Sequence, residues 1–310
     1  INIIIIFFLS KGWWESQFSP VSVDKSTKVV VIAKGAGVSE IAKKLKKDNL
    51  IKSELAFKLY IRQNNLTNKL QAGSYKLSPA MSTTQIVEVL QSGSEDVWVT
   101  LIEGWRVEEM AAKLNQELKT DKAEFIKNAK EGYMFPDTYL FPKEATTEYI
   151  IDTLRDTFDT RFTPELRSRI HAQGLTEAEG VILASAVERE ARSDEVRKIV
   201  ASILLRRLKV GMPLNADATV QYALGFQKKE NSWWKRNLTF EDLKVNSIYN
   251  TYLHAGLPPA PISNPSVSSL KAVANADPAT PYLYYYHDSK GNSYYAKTLE
   301  EHNKNVANNP

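Results

Sequence analysis

The chain has 310 residues, of which 43% are hydrophobic and 25% charged, with a formal net charge of +4; that is enough to bury a sizeable core and to form two or three compact units. It contains no cysteine, which excludes disulfides and thiolate metal sites. Its four histidines, His171, His254, His287 and His302, show no close ligand spacing, so neither a metal nor another cofactor is expected. The mild positive charge suits an anionic membrane or cell-wall polymer, whereas no dense basic patch with interleaved aromatics points to nucleic acid.

Residues 1–9 are apolar except for Asn2, and Trp13 and Trp14 follow where an interfacial aromatic belt sits. A full span needs about 20 apolar residues, so 1–14 reads as the remnant of a transmembrane anchor and the polar stretch 15–27, with Pro20, as a linker. An apolar first strand or a signal-peptide core is the competing reading, and no small-residue cleavage site precedes the tryptophan pair.

Residues 30–45 align without a gap to residues 99–114, an offset of 69 positions. Each copy is a short β-rich run, a glycine turn and a helix with apolar positions at i, i+3 or i+4, and i+7. The first copy, completed by a strand at 72–77 and a helix at 82–90, makes a small unit over 28–97. The second copy, 98–130, leads into a larger region running from 98 to 310. The strand, glycine turn and helix resemble the opening of LysM-type modules, which bind glycan strands of N-acetylhexosamines; a plain packing role is the alternative.

The stretch Gly132-Tyr133-Met134-Phe135-Pro136-Asp137-Thr138-Tyr139 gathers aromatics around a proline. It is either a hydrophobic plug or the wall of a carbohydrate cleft, since aromatic faces stack on the apolar C–H faces of sugars.

Eight uncharged residues, Gly180 to Val187, run directly into Glu188. Thr176 with Glu179 three positions on is a capping-box signature, so a helix starts there and carries Glu188 about three turns in. The run is apolar on every face, so the helix should be buried on most sides. A carboxyl emerging from it is desolvated, its pKa raised toward what a proton donor needs near neutral pH. Against this stands an i,i+4 ion pair from Glu188 to Arg192 on a solvated face. Glu190 competes for the acid's role two residues on, and helical spacing alone does not choose between the two.

A helix at 195–208 follows, and Gly211-Met212-Pro213-Leu214 breaks the pattern. Asp217 then stands where it would cap a helix containing Tyr222. The proline-rich stretch 256–265 reads as a rigid loop of the kind that lines clefts. Residues 282–286 and 293–296 read as a β-hairpin around Lys290-Gly291-Asn292.

Taken together these blocks resemble the endolytic murein transglycosylase (YceG-like) family. The resemblance rests on the apolar start, the LysM-like unit and a series of motifs in the family's order. Those motifs are EGYMFPDTY at 131–139, LASAVERE at 183–190, MPLNADATVQY at 212–222, YNTYLHAGLPPAPISNP at 249–265, TPYLYYYHD at 280–288 and EHNKNV at 301–306. Ala218 stands where the family often has proline, and Ala186 where it often has a bulkier residue.

The resemblance implies an α+β protein that cleaves the β-1,4 bond between N-acetylmuramic acid and N-acetylglucosamine inside peptidoglycan strands, leaving 1,6-anhydro ends. It implies a single-pass anchor in the bacterial cytoplasmic membrane, an extracytoplasmic catalytic domain, partnership with strand-polymerising synthases and a role in ending strand elongation. The family's catalytic glutamate falls in a motif whose first acid matches Glu188, which becomes the expected proton donor. Glu190, Asp217, Thr219, Tyr222, Asn250 and Tyr252 are the expected substrate-binding residues. Two other readings are a muramidase-type hydrolase with Asp217 as second carboxylate and a non-catalytic cell-wall binding protein.

Overall fold

The computed structural model describes residues 16–33, 35–93, 96–143 and 145–309; the expected anchor at 1–14 lies outside them. It is a mixed α+β architecture, rich in helices and with three two-stranded sheets among the described residues. No described helix is long and apolar enough to cross a membrane. The chain divides into two compact units, residues 1–99 with 139–145, and residues 100–138 with 146–310.

In the first unit β1 (Lys28–Ile32) is followed by α1 (Val38–Lys47), α2 (Glu54–Gln63), β2 (Gly73–Leu77) and α3 (Thr83–Ser92). β1 and β2 pair antiparallel with Val30 opposite Tyr75 and Ile32 opposite Gly73. Val30, Ile32, Tyr75 and Leu77 are buried while Val29 and Val31 are exposed, the period-2 alternation of a sheet with one covered face. Each helix turns an apolar stripe inward, with Ile41 and Leu45 of α1, Phe57 and Ile61 of α2, and Ile86 and Leu90 of α3 in one core. The stretch expected as a linker is instead fastened to this unit: the Phe18 carbonyl accepts from Thr83 N at 2.9 Å and the Ser22 N–H donates to Pro79 O at 3.1 Å. Polar composition signalled a linker, but those polar groups are partners for the surface they lie on.

β3 (Val97–Thr100) and β4 (Thr138–Phe141) pair with each other where the chain passes between the units. In the second unit come α4 (Val107–Leu118), α5 (Lys122–Asn128), α6 (Thr147–Arg161), α7 (Pro164–Ala172), α8 (Glu177–Glu190), α9 (Asp194–Lys209), α10 (Asp217–Leu224), α11 (Val267–Ala274), the β5 (Tyr284–His287) and β6 (Ser293–Ala296) hairpin, and α12 (Leu299–Asn308). The second copy of the repeat thus supplies β3 and α4, with a glycine turn between them as in β1 and α1.

Helix α8 is the hub of this unit. Its capping box forms as read: Thr176 N–H donates to Glu179 Oε2 at 2.8 Å and Glu179 N–H to Thr176 Oγ1 at 3.2 Å. Helices α7, α9, α10 and α11 all pack on it, so every residue from Gly180 to Val187 is buried. Gly180 permits the closest approach: a Cβ there would sit 2.6 Å from Ile170 Cγ2 of α7, well inside van der Waals contact. The aromatic stretch at 132–139 contributes to the same core. Phe135 is buried within it, and Tyr133 packs on it with its ring 5.0 Å from Phe158. Gly132, Met134, Phe135, Pro136 and Tyr139 are buried.

Candidate active site

The two glutamates at the end of α8 point to different surroundings. Glu188 is clamped: Arg197 Nη2 of α9 lies 2.7 Å from Oε1, while Ser266 donates to Oε2 from both its N–H at 2.8 Å and its hydroxyl at 2.6 Å. Ser266 is the N-cap of α11, so the carboxylate lies at a helix N-terminus, where negative charge is favoured. The side chain is 3% exposed. The expected alternative partner, Arg192, lies past the end of the helix at Glu190. Gly104, with φ of +74°, lets the turn before α4 pass close by; a Cβ there would meet Glu188 Cγ at 3.3 Å.

Glu190 instead faces a cavity of about 530 Å³, walled further by Arg207, Asn215, Asp217, Tyr252 and the β5 tyrosines. This is within the size range of ligand pockets, about 300–1,000 Å³. Burial pushes the Glu190 carboxyl up to about 7, and the nearby Asp217 charge pushes in the same direction. The opposing effects are weaker: a hydrogen bond from Ala218 N–H at 3.3 Å, another from the Tyr285 hydroxyl, and the charge of Arg189. Such a carboxyl is divided between its acid and base forms near neutral pH, as proton transfer in both directions requires.

Asp217 does not cap α10, as the sequence suggested. The N-cap is Ala216, without a side-chain bond, and the Asp217 carboxylate instead accepts the Tyr252 hydroxyl at 2.7 Å. Burial and this carboxylate both raise the Tyr252 pKa, so Tyr252 stays a donor. Asn215, with φ of +47°, turns the chain into the cavity wall just ahead of Asp217.

Thr219, Asn250 and Tyr222 are not among the residues that line this cavity. Thr219 is fully buried, bonded to Ala216 O at 2.7 Å and to the Thr251 hydroxyl at 2.9 Å. Asn250, also fully buried, donates to Leu243 O and Val245 O, each at 2.9 Å, and accepts from Tyr252 N–H at 3.0 Å. It fixes the loop that carries Tyr252. Tyr222 packs against Tyr249 and beneath Arg106, whose guanidinium carbon lies 4.0 Å from its ring centroid. Their partners are backbone groups for Thr219 and Asn250, with the Thr251 hydroxyl as well for Thr219, and a half-buried ring and a guanidinium for Tyr222.

The loop expected to line a cleft is, from Ile262 to Ser266, a buried strap along α8. Ile262 N–H donates to Ser185 Oγ at 3.0 Å and Ser263 Oγ to Ser185 O at 3.0 Å. Asn264 Oδ1 accepts from Gly132 and Met134 N–H, each at 2.9 Å, and its Nδ2 donates to Trp105 O at 3.0 Å and Glu131 Oε1 at 2.7 Å.

Arg207, Tyr284, Tyr285, Tyr286, His287 and His302 were not among the residues expected at the site. The hairpin that carries four of them is visible in the sequence, with Tyr285 opposite Tyr295, but nothing local indicates that it faces the end of α8. No cluster of His, Cys, Asp or Glu among the described residues has the arrangement of a metal site.

A model of the YceG-like family matches residues 30–308. Over 324 residues the chain is 33% identical to the endolytic murein transglycosylase of Bacillus subtilis strain 168, covering 94% of this chain and 87% of that one. It is 30% identical over 332 residues to the endolytic murein transglycosylase of Streptococcus pneumoniae serotype 2, covering 93% of this chain and 59% of that longer protein. Among solved structures, a YceG-like protein of Listeria monocytogenes matches with a TM-score of 0.61 at 32% identity, over 90% of this chain and 99% of that one.

Proposed function

The chain belongs to the YceG-like family, and from that premise we propose that it is an endolytic murein transglycosylase whose proton donor is Glu190, with Glu188 as a structural anchor. The named relatives support the activity. The observation that carries the choice of residue is the pairing within one cavity of a carboxyl raised to about 7 with an ionisable neighbour, Asp217. Glu188, by contrast, has a carboxylate that accepts from Arg197 and from both the N–H and the hydroxyl of Ser266. Its side chain is 3% exposed, and it is not among the residues that line the Glu190 cavity. The sequence reading favoured Glu188 from its burial and from its match to the first acid of the family's motif; in the structure that buried carboxyl is paired with Arg197.

In the proposed reaction protonated Glu190 gives its proton to the glycosidic oxygen, and the bond from that oxygen to C1 of N-acetylmuramic acid breaks. The N-acetylglucosamine 4-hydroxyl leaves. The muramic C6 hydroxyl then bonds to C1, and the Glu190 carboxylate takes its proton, so the acid is regenerated and no water is consumed. Because the attacking group belongs to the substrate, proximity does the work of a second nucleophile. Burial, with the charge of Asp217 that Tyr252 holds in place, favours the protonated form of Glu190, and Asp217 lies ready to stabilise the oxocarbenium-like charge at C1.

The same carboxylate supports one other reading, a hydrolase with Asp217 activating water. Digestion of purified peptidoglycan followed by mass analysis of the new ends separates the two, since anhydro ends are lighter by one water. The assignment of the acid predicts that Glu190→Gln abolishes release of anhydro ends while the protein stays folded. Full activity in that variant would end the proposal.

The glycan-binding role of the first unit, anchoring by the apolar residues 1–9, the extracytoplasmic location, synthase partnership and strand termination are carried over from family resemblance. The strand–helix–helix–strand order of 28–77 supports the first of these.

A further inference from the structure

The cavity extends past its acid–base groups to a wall that the reaction does not use. Leu299 and His302 of α12 line it together with Tyr284 and Tyr286 of β5. His302 stacks on Tyr284, centroids 5.5 Å apart at 28°, and meets Tyr286 edge-on at 6.5 Å and 82°. Tyr286 is in turn stacked at 6.3 Å on Tyr294 across the hairpin. These rings are braced against one another.

Core packing does not account for this arrangement. α12 has no buried residue, and Leu299 leaves 55% of its surface exposed at the cavity wall. Burial and the nearby Arg207 charge both lower the His302 pKa, which keeps its imidazole neutral and its face apolar in character. A neutral aromatic cluster beside an exposed leucine, with hydrogen-bonding groups deeper in the same cavity, matches the two-sided chemistry of a pyranose ring.

We propose that Tyr286, Leu299 and His302 form a sugar-binding subsite that stacks on an N-acetylhexosamine next to the cleaved linkage, so that the C-terminal helix helps select an extended glycan strand over a chain end. The proposal rests on the reading of the Glu190 cavity as the cleavage site. Continuity of the wall with that cavity is what assigns the occupant: a ring bound at Glu190 is covalently joined to the next ring of the same strand.

The test uses the full chain and a murein tetrasaccharide. With Glu190→Gln as background, binding of the tetrasaccharide is measured by titration calorimetry, and His302→Ala with Leu299→Ser should weaken it about tenfold, the loss expected for about 1.4 kcal/mol of contact energy. His302→Phe, which keeps a stacking face, should restore most of the affinity. In the otherwise native enzyme the paired substitution should raise KM for glycan strands about tenfold, with kcat changed by less than about twofold, because only binding energy shared by ground and transition states is removed. Unfolding midpoints of the variants verify that the hairpin is intact. Unchanged tetrasaccharide affinity, or a loss that His302→Phe does not restore, overturns the subsite. Absence of anhydro ends from the wild-type digest, or their release at the native rate by Glu190→Gln, would instead overturn the cleavage reading, so the two failures are distinct.

Discussion

Tyr252 donates its hydroxyl to the Asp217 carboxylate at 2.7 Å, so the second acid of the cavity is held in place by a residue 35 positions away along the chain. The hydrogen bond fixes where negative charge sits beside Glu190. Replacing Asp217 by Asn removes the like charge that helps raise the Glu190 pKa. The active acid form of Glu190 is present below its pKa and lost above it, so the alkaline limb of the pH–rate profile should lie near pH 7 in the wild type and move to lower pH in Asp217→Asn. A profile with the limb unmoved would separate Asp217 from the titration of the donor.

Removing one partner of the Glu188–Arg197 pair leaves the other charge buried. Glu188→Ala should therefore destabilise the protein by about 3–5 kcal/mol, measured by urea unfolding. Glu188→Gln should cost less, because an amide oxygen still accepts from Ser266. It should also retain cleavage, whereas Glu190→Gln should fold normally and lose it. If both glutamine variants lose cleavage equally, the division of labour between the two glutamates fails.

Burial pushes the Glu131 carboxyl up to about 8, against the opposing effect of a hydrogen bond from Val107 N–H. The unfolded chain, with an ordinary carboxyl near 4.5, gives up its proton while the folded one keeps it. Stability should thus fall as pH rises from about 4.5 to about 8 and level off above that. Glu131→Gln should flatten this slope, a result that unfolding midpoints at several pH values would reveal. A slope identical in wild type and variant would count against a protonated Glu131.

Thr219 and Thr251 share a buried hydroxyl pair at 2.9 Å. Thr219→Val should destabilise by about 1–3 kcal/mol, since Thr251 and Ala216 lose a partner without gaining water. At a temperature where the variant is folded, KM for glycan strands should stay near the wild-type value. A large rise in KM with unchanged stability would restore Thr219 as a binding residue.

The architecture around α8 was readable because its signals are local: a capping box, an all-round apolar run and a hairpin turn each occupy a few consecutive residues. The choice between Glu188 and Glu190 was not. It depends on Arg197, Ser266, Asp217 and Tyr285, which reach the end of one helix from α9, the 262–266 strap, the start of α10 and the C-terminal hairpin. Asp217 and Tyr252, expected as substrate-binding residues, both line the cavity. Thr219 and Asn250 were expected in the same role, yet their side chains are consumed by backbone carbonyls and neighbouring hydroxyls. Residue type shows that a group can bond, whereas only the fold shows to what.

Asn264 serves segments that lie about 130 residues before it in the chain, taking the amide protons of Gly132 and Met134 and steadying the turn ahead of α4. In the folded core, where water is excluded, this side chain is the acceptor for both amides. On the ribosome, therefore, the helix bearing both glutamates emerges well before the strap that packs along it. An N-terminal fragment ending short of residue 262 would carry both glutamates and still lack Ser266, which donates two hydrogen bonds to Glu188.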